Sequence, residues 1–173
     1  MHDFEERLAR ATARIDREYF QLPVFGRESA AYRERQYCYE LYHQLRQGWP
    51  TGGYHLSGEI DKSGHPVIRG NDLDNTKPDF LIHIPEDMDH NFAVLEVKPI
   101  TGRLGGVKKD VLTLLAYLEH GQYERAFYLV YGEPSEGKAL DYAKAQIIAN
   151  KAQKRIDLWC HRAARVPAAR VAF

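Results

Sequence analysis

Apolar residues recur at helical spacing in the first part of the chain. The earliest stretch predicts a helix over 3–19, with charged residues between its apolar positions: Phe4, Leu8, Ala11, Ile15 and Tyr19. Pro23 and Gly26 then interrupt the pattern. A second helix is predicted over 29–46, with Ser29 as its N-cap and an apolar stripe formed by Cys38, Leu41 and Leu45.

The middle of the chain changes to a β pattern. Strands over 54–60 and 66–69 flank the turn signal at 61–64, which predicts a hairpin. Two further strands are predicted over 79–84 and 92–98. Both are apolar on two faces, as expected of central strands that are covered by helices.

The last part alternates between helix and strand. A Gly-rich loop at 102–106 opens a strongly apolar helix, and a buried strand follows at 126–131. A helix over 136–152 and a strand over 156–161 come next, and 167–173 has no clear pattern. This order predicts an α/β fold with a mixed β-sheet flanked by helices.

Composition adds limits to this picture. The 173 residues favour one domain, 1–173, and equal numbers of basic and acidic residues give a formal net charge of zero. Any nucleic-acid binding must therefore depend on a local patch. Two cysteines, a charged N-terminus and no apolar run near the ~18 residues of a membrane span predict a cytoplasmic protein without a membrane partner.

Three charged side chains lie at the ends of the two central strands. Asp79 opens the first strand, and Glu96 and Lys98 lie on one face at the end of the second. Burying these charges is costly unless they pair or bind a cation. If the strands are neighbours, Asp79 and Glu96 form a carboxylate pair suited to Mg²⁺, with the carbonyl of Val97 as a further ligand. The alternative is a strand cap beside an ordinary surface ion pair.

The residues Pro78-Asp79 and, seventeen positions after Asp79, Glu96-Val97-Lys98 resemble the signature of the PD-(D/E)xK nuclease superfamily, whose fold is restriction-endonuclease-like. The resemblance implies a core of order α-β-β-β-α-β over about 29–132. The helix over 3–19 and the segment 136–161 lie outside that core. It also implies a Mg²⁺ or Mn²⁺ site held by Asp79 and Glu96, with Lys98 as the catalytic lysine.

Many members of that superfamily carry a further glutamate on the first core helix. Glu34 fits this position because it shares the stripe of Leu41 and Leu45, and it is expected to act as a catalytic residue and metal ligand. Glu40 is the alternative candidate for this helix glutamate. A helical glutamate of this kind can also simply pair with an arginine or accept a tyrosine hydroxyl.

Basic residues follow the Glu-x-Lys motif in the sequence. Arg103, Lys108 and Lys109 surround the start of the helix after the Gly-rich loop, where free N–H groups and the helix dipole favour phosphate. They are predicted to bind nucleic acid. The competing interpretation is a solvated basic face.

The function expected from the resemblance is metal-dependent hydrolysis of phosphodiester bonds by an activated water. DNA is the default substrate, and RNA stays open. A homodimer would suit double-strand cutting. The alternative is a catalytically silent module of the same fold that binds nucleic acid or protein, and a third hypothesis treats the strand-end charges as structural.

Overall fold

A single mixed β-sheet forms the centre of the molecule. The computed structural model describes residues 3–26, 29–59, 73, 76–87 and 89–173. Within these ranges the sheet has six strands, which lie side by side in chain order: β1 (His55–Gly58), β2 (Phe80–His83), β3 (Asn91–Pro99), β4 (Arg125–Tyr131), β5 (Ile156–His161) and β6 (Ala169–Arg170). β1, β2 and β3 pair antiparallel, β3, β4 and β5 pair parallel, and β6 returns antiparallel to β5.

Helices cover both faces of this sheet. They are α1 (Phe4–Thr12), α2 (Arg17–Phe20), α3 (Glu34–Arg46), α4 (Leu104–Glu119) and α5 (Ala139–Ala149). One apolar layer joins α1, α2 and α3 to one face, and the other joins α4 and α5 to the opposite face. The predicted mixed sheet flanked by helices is confirmed. Among the helices of the described ranges, none is both long and apolar enough to cross a membrane.

The alternation along β3 explains how one strand serves both layers. Leu95 and Val97 lie in the layer with α3, whereas Val94 lies in the layer with α4. Since side chains alternate along a strand, Glu96 and Lys98 share the α4 side. β3 is therefore apolar on both faces from Phe92 to Leu95, with the buried Asn91 at its start and the charged Glu96 and Lys98 near its end.

The prediction of one continuous helix over 3–19 is wrong, because the helical conformation ends after α1 and resumes only at α2. The backbone carbonyl of Ile15 accepts the N–H of Arg165, and the Thr12 hydroxyl accepts the N–H of Ala168. Both donors come from the segment after β5. Residues 13–16 thus form a turn that binds the C-terminal segment, while Ile15 stays buried as its apolar character predicted.

The predicted helix over 29–46 begins later than expected. Leu22 and Ala31 exchange two backbone hydrogen bonds, at 2.8 and 2.9 Å, in a short antiparallel bridge. This bridge keeps the chain extended, so Ser29 is not the N-cap and α3 begins at Glu34. The Glu34 carboxylate consequently lies in the first turn of α3, where the helix dipole favours a negative charge.

Three other boundaries differ from the sequence predictions. β1 is shorter than 54–60 and pairs with β2, while 61–64 and 66–69 lie outside the described residues. Instead of a helix over 136–152, a 3-10 turn at Pro134–Glu136 precedes α5. Gly137 lies between the turn and α5, and this position requires glycine because a Cβ there would collide with the backbone carbonyl of Ile100. The C-terminal segment contains β6, which its sequence did not reveal.

We predict that Thr12→Val destabilises the protein although the two side chains have similar shapes. The substitution removes the oxygen that accepts the Ala168 N–H at 2.8 Å and leaves this buried donor unpaired. The expected loss is about 1–3 kcal/mol in the free energy of unfolding, measured by denaturant titration. Thr51→Val is the control, since Thr51 is exposed, and should change stability by less than about 0.5 kcal/mol. Equal stability of the two variants would contradict the prediction.

Candidate functional site

The charged residues predicted from the two strands meet where β2 begins and β3 ends. Asp79 directly precedes β2, and the register between β2 and β3 pairs Phe80 with Leu95. One step further along this antiparallel register, Asp79 lies opposite Glu96. The predicted adjacency of the two carboxyl groups therefore holds, and the charge of Asp79 acts on Glu96.

Burial dominates the electrostatics of this carboxyl pair. Desolvation raises the pKa of Asp79 to about 7, although the Val97 N–H donates to its Oδ2 at 2.7 Å and opposes the rise. The pKa of Glu96 is raised well above its ordinary value, first by burial and then by the negative charge of Asp79. Two carboxyl groups this close favour holding a proton between them.

Lys98 extends from the end of β3 to carboxylates on both sides of the sheet. Its Nζ lies 2.9 Å from Glu34 Oε2 on α3 and 3.0 Å from Asp110 Oδ2 on α4. Its side chain is only 14% exposed. Burial by itself lowers the pKa of Lys98, but Asp110 and Glu34 outweigh it and raise that pKa above its usual value. Lys98 therefore keeps its positive charge, and its ammonium group is held in place by the carboxylates of Glu34 and Asp110.

Asp110 and Tyr128 belong to this cluster but were not predicted as site residues. The Tyr128 hydroxyl donates to Asp110 Oδ2 at 3.2 Å, which orients that carboxylate towards Lys98. The available signal was a charge between Val107 and Val111 on the buried side of α4. Such a carboxylate needs a partner from the sheet, and the end of β3 supplies it.

The two candidate helix carboxylates have different surroundings. Glu34 contacts Lys98, as described above, whereas the Glu40 carboxylate accepts a hydrogen bond from Gln44 within α3, at 2.6 Å. Of the two, Glu34 is thus the one that joins the cluster. Val97 contributes its N–H to Asp79, and the prediction that its carbonyl binds a metal stays a prediction.

Two buried side chains, Cys38 and Tyr131, lie close to the cluster. Burial and then the charge of Asp79 raise the pKa of the Cys38 thiol. The ring of Tyr131 stacks on Tyr37, with the centroids 3.8 Å apart. Within the described residues the buried hydroxyl of Tyr131 has no hydrogen-bond partner, and its neighbours include Glu34 and Asp79.

The donor set was tested for its fit to a divalent cation. In the described ranges, no group of three or more His, Cys, Asp or Glu side chains is arranged to hold a metal ion. Mg²⁺, however, is commonly held by one or two carboxylates and completes its shell with waters and substrate phosphate. Asp79 and Glu96 fit that pattern as a pair, while Glu34 is engaged by Lys98.

The predicted nucleic-acid-binding residues lie around the start of α4. Arg103 is the exposed N-cap residue of α4 and makes no side-chain cap, and the helix already includes Gly105 and Gly106. Lys108 and Lys109 are exposed and line a groove of about 890 Å³ on the outer side of α4. Asp110 does not line this groove and contacts Lys98 instead, so the groove and the cluster are separate features beside α4.

Gly102 makes the position of Lys98 possible. A Cβ at Gly102 would lie 2.8 Å from both Cγ and Cδ of Lys98 and 2.9 Å from the Pro99 carbonyl oxygen. We predict that Gly102→Ala lowers the free energy of unfolding by about 1–3 kcal/mol, because Lys98 must shift away from its carboxylates. Thermal and denaturant unfolding measure this loss.

Gly105→Ala is the matched control for this substitution. A Cβ at Gly105 meets nothing within 4 Å, and the residue lies inside α4. Alanine there should stabilise the protein by roughly 0.5–1 kcal/mol. A Gly102→Ala protein as stable as the Gly105→Ala protein would show that Lys98 does not depend on the missing Cβ.

Comparisons with protein-family models, with curated proteins and with solved structures find no significant match to this chain. The resemblance to the PD-(D/E)xK superfamily therefore depends on the motif residues alone. Any functional conclusion must come from the chemistry of the cluster around Lys98.

Proposed function

We propose that the protein is a metal-dependent nuclease that hydrolyses phosphodiester bonds of DNA. The observation that carries this proposal is the adjacent pair Asp79–Glu96 with Lys98 one pleat away on the same strand end. A pair of oxygen ligands beside a fixed ammonium suits a reaction in which negative charge develops on a phosphate.

The order of elements supports the proposal. Among the described residues from α3 to β4, the elements follow in the order helix, three strands, helix and strand, which is the order that the family resemblance implies. β2 and β3 supply Asp79 and Glu96 as antiparallel neighbours, and α4 connects β3 to the parallel strand β4. We therefore propose a restriction-endonuclease-like core for this part of the chain.

Each residue has a distinct role in the proposed reaction. A Mg²⁺ or Mn²⁺ ion would supply Lewis acidity next to the phosphate and lower the pKa of a water. Asp79 and Glu96 would hold this ion, and the Val97 N–H orients Asp79 for it. Lys98 would stabilise the charge that develops on the phosphate, while Glu34 and Asp110 position its ammonium.

Binding of the DNA backbone is assigned to exposed basic residues. Arg103 is exposed and follows Lys98 by five positions, and Lys108 and Lys109 offer further positive charge along the groove beside α4. A homodimer that presents two such sites would cut both strands. A reducing compartment such as the cytoplasm suits Cys38 and Cys160, both of which are free and buried.

A second candidate is a module of the same fold that binds nucleic acid or protein without catalysis. The observation that favours it is the pairing of Glu34 and Asp110 with Lys98. These ion pairs neutralise much of the acidic cluster without a metal, so the cluster could serve only to join α3 and α4 to the sheet.

We predict that Lys98→Ala lowers metal-dependent DNA cleavage by about 100-fold or more, because one electrostatic contact to the developing charge is lost. Plasmid and single-stranded DNA are incubated with the protein in EDTA, Mg²⁺ or Mn²⁺. Lys154→Ala is the control, since Lys154 is exposed and lies outside the cluster. Cleavage that persists in EDTA, or in Lys98→Ala at the Lys154→Ala rate, would argue against the assignment.

A separate prediction concerns metal binding without substrate. Mg²⁺ or Mn²⁺ should raise the melting temperature of the wild type, since a ligand at about 100 times its Kd stabilises the folded state by about 2.7 kcal/mol. Asp79→Asn should remove this shift, although the amide oxygen can still accept the Val97 N–H. Differential scanning calorimetry with and without metal provides the measurement.

The two experiments together separate the candidates. Metal stabilisation without cleavage would favour the silent module, whereas an equal metal effect in wild type and Asp79→Asn would exclude Asp79 as a ligand. Absence of both effects would leave the charges with a purely structural role.

A further inference from the structure

A cavity opens beside Asp79, between α3 and the start of β2. Its volume is about 330 Å³, at the small end of the range of roughly 300–1,000 Å³ for ligand pockets. Cys38, Tyr39 and Tyr42 of α3 form one wall, and Asp79 and Phe80 form another. One of the proposed metal ligands is thus also part of the cavity lining.

Aromatic rings dominate this cavity. The rings of Tyr42 and Phe80 are nearly parallel, with an interplanar angle of 9° and centroids 6.3 Å apart. Tyr39 is 63% exposed and Tyr42 is 36% exposed, so both retain ring surface that a ligand can cover. Exposed aromatic rings bind planar π systems well, and every nucleobase presents such a face.

The charges in the lining decide which part of a nucleic acid fits. The carboxyl groups of Asp79 and Glu59 both border the cavity, and Glu59 lies next to Arg35 at 3.4 Å. Carboxylates repel a phosphate group in such a space, but they accept hydrogen bonds from the amino and ring N–H groups of bases. The cavity therefore suits the base of a nucleotide better than its phosphate.

The helix α3 connects the cavity to the acidic cluster. Glu34, Cys38 and Tyr42 are spaced four residues apart and so lie along one side of the helix. At a rise of 1.5 Å per residue, Cys38 and Tyr42 lie about 6 and 12 Å beyond Glu34 along the axis. A base in the cavity would thus place its own backbone next to Asp79 and Lys98.

We infer that this cavity binds an unpaired nucleobase of the DNA strand that is cut, stacked on Tyr39 and Tyr42. The inference rests on the proposed nuclease function and deepens it, because it specifies the substrate as DNA with an unpaired nucleotide at the cleavage site. A base within a duplex is stacked and paired, so it must leave the helix to enter such a cavity, at a cost that single-stranded DNA avoids.

The test compares single-stranded with duplex DNA of the same sequence, bound in EDTA so that metal-dependent cutting does not occur. Tyr39→Ala should weaken binding of the single strand about tenfold and leave duplex binding unchanged, because one stacking contact is lost. Tyr39→Phe keeps the ring and should bind like the wild type. Tyr19→Ala is the matched control, since it removes a partly exposed tyrosine in α2, outside the cavity.

A fluorescent adenine analogue gives a direct readout of stacking. Its emission falls when the base stacks on an aromatic ring, so wild type and Tyr39→Phe should quench a single-stranded probe and Tyr39→Ala should quench it less. Tyr39 is mostly exposed, and the melting temperature of each variant verifies that its fold is intact.

The outcomes separate the inference from the proposed function. Equal affinity of Tyr39→Ala and wild type for the single strand, or equal losses for single strand and duplex, would overturn the cavity assignment. If metal-dependent cleavage by the wild type persisted in that case, the nuclease assignment would stand. A wild type that neither binds nor cuts DNA of either form would overturn both.

Discussion

The ion pairs of Lys98 are the constraint on which the arrangement of this molecule depends. Glu34 belongs to the helical layer on one side of the sheet and Asp110 to the layer on the other, and both contact the same ammonium group. Lys98 therefore connects three layers at the charged end of a strand whose middle is apolar. Without it, the carboxylates of Glu34 and Asp110 would lie beside Glu96 with no cation to offset their charge, and the mostly buried Asp110 would keep only the Tyr128 hydroxyl as a partner.

The central sheet could be predicted from local patterns because its strands are buried on both faces and give continuous apolar runs. The ends of helices and strands could not be predicted in this way, because hydrogen bonds to distant segments determine where they lie. Thr12 and Ile15 stop α1 by accepting N–H groups from residues more than a hundred positions away. Likewise, the bridge between Leu22 and Ala31 delays α3. Helical periodicity contains no information about such partners.

The same distinction applies to the candidate site. Asp79 and Glu96 could be brought together from sequence, since adjacent strands in the chain commonly pair and alternation fixes which side chains meet. Asp110 was missed because its partner belongs to the preceding strand and its own helix offers an ordinary mixture of charges. The outer placement of Lys108 and Lys109 likewise depends on which side of α4 packs against the sheet.

The charge balance of the cluster links its stability to the proposed chemistry. Four carboxyl groups meet one ammonium, and burial raises the pKa values of Asp79 and Glu96, which favours a proton shared by this pair. Two formal negative charges then remain uncompensated, and displacement of the proton by a divalent cation would neutralise the cluster to within one charge. The buried Tyr131 hydroxyl, unpaired within the described residues, offers such a site a hydrogen bond. The ion pairs of Lys98 therefore keep the acids close together in the absence of metal, and the carboxyl pair retains the ligand capacity that the proposed reaction needs.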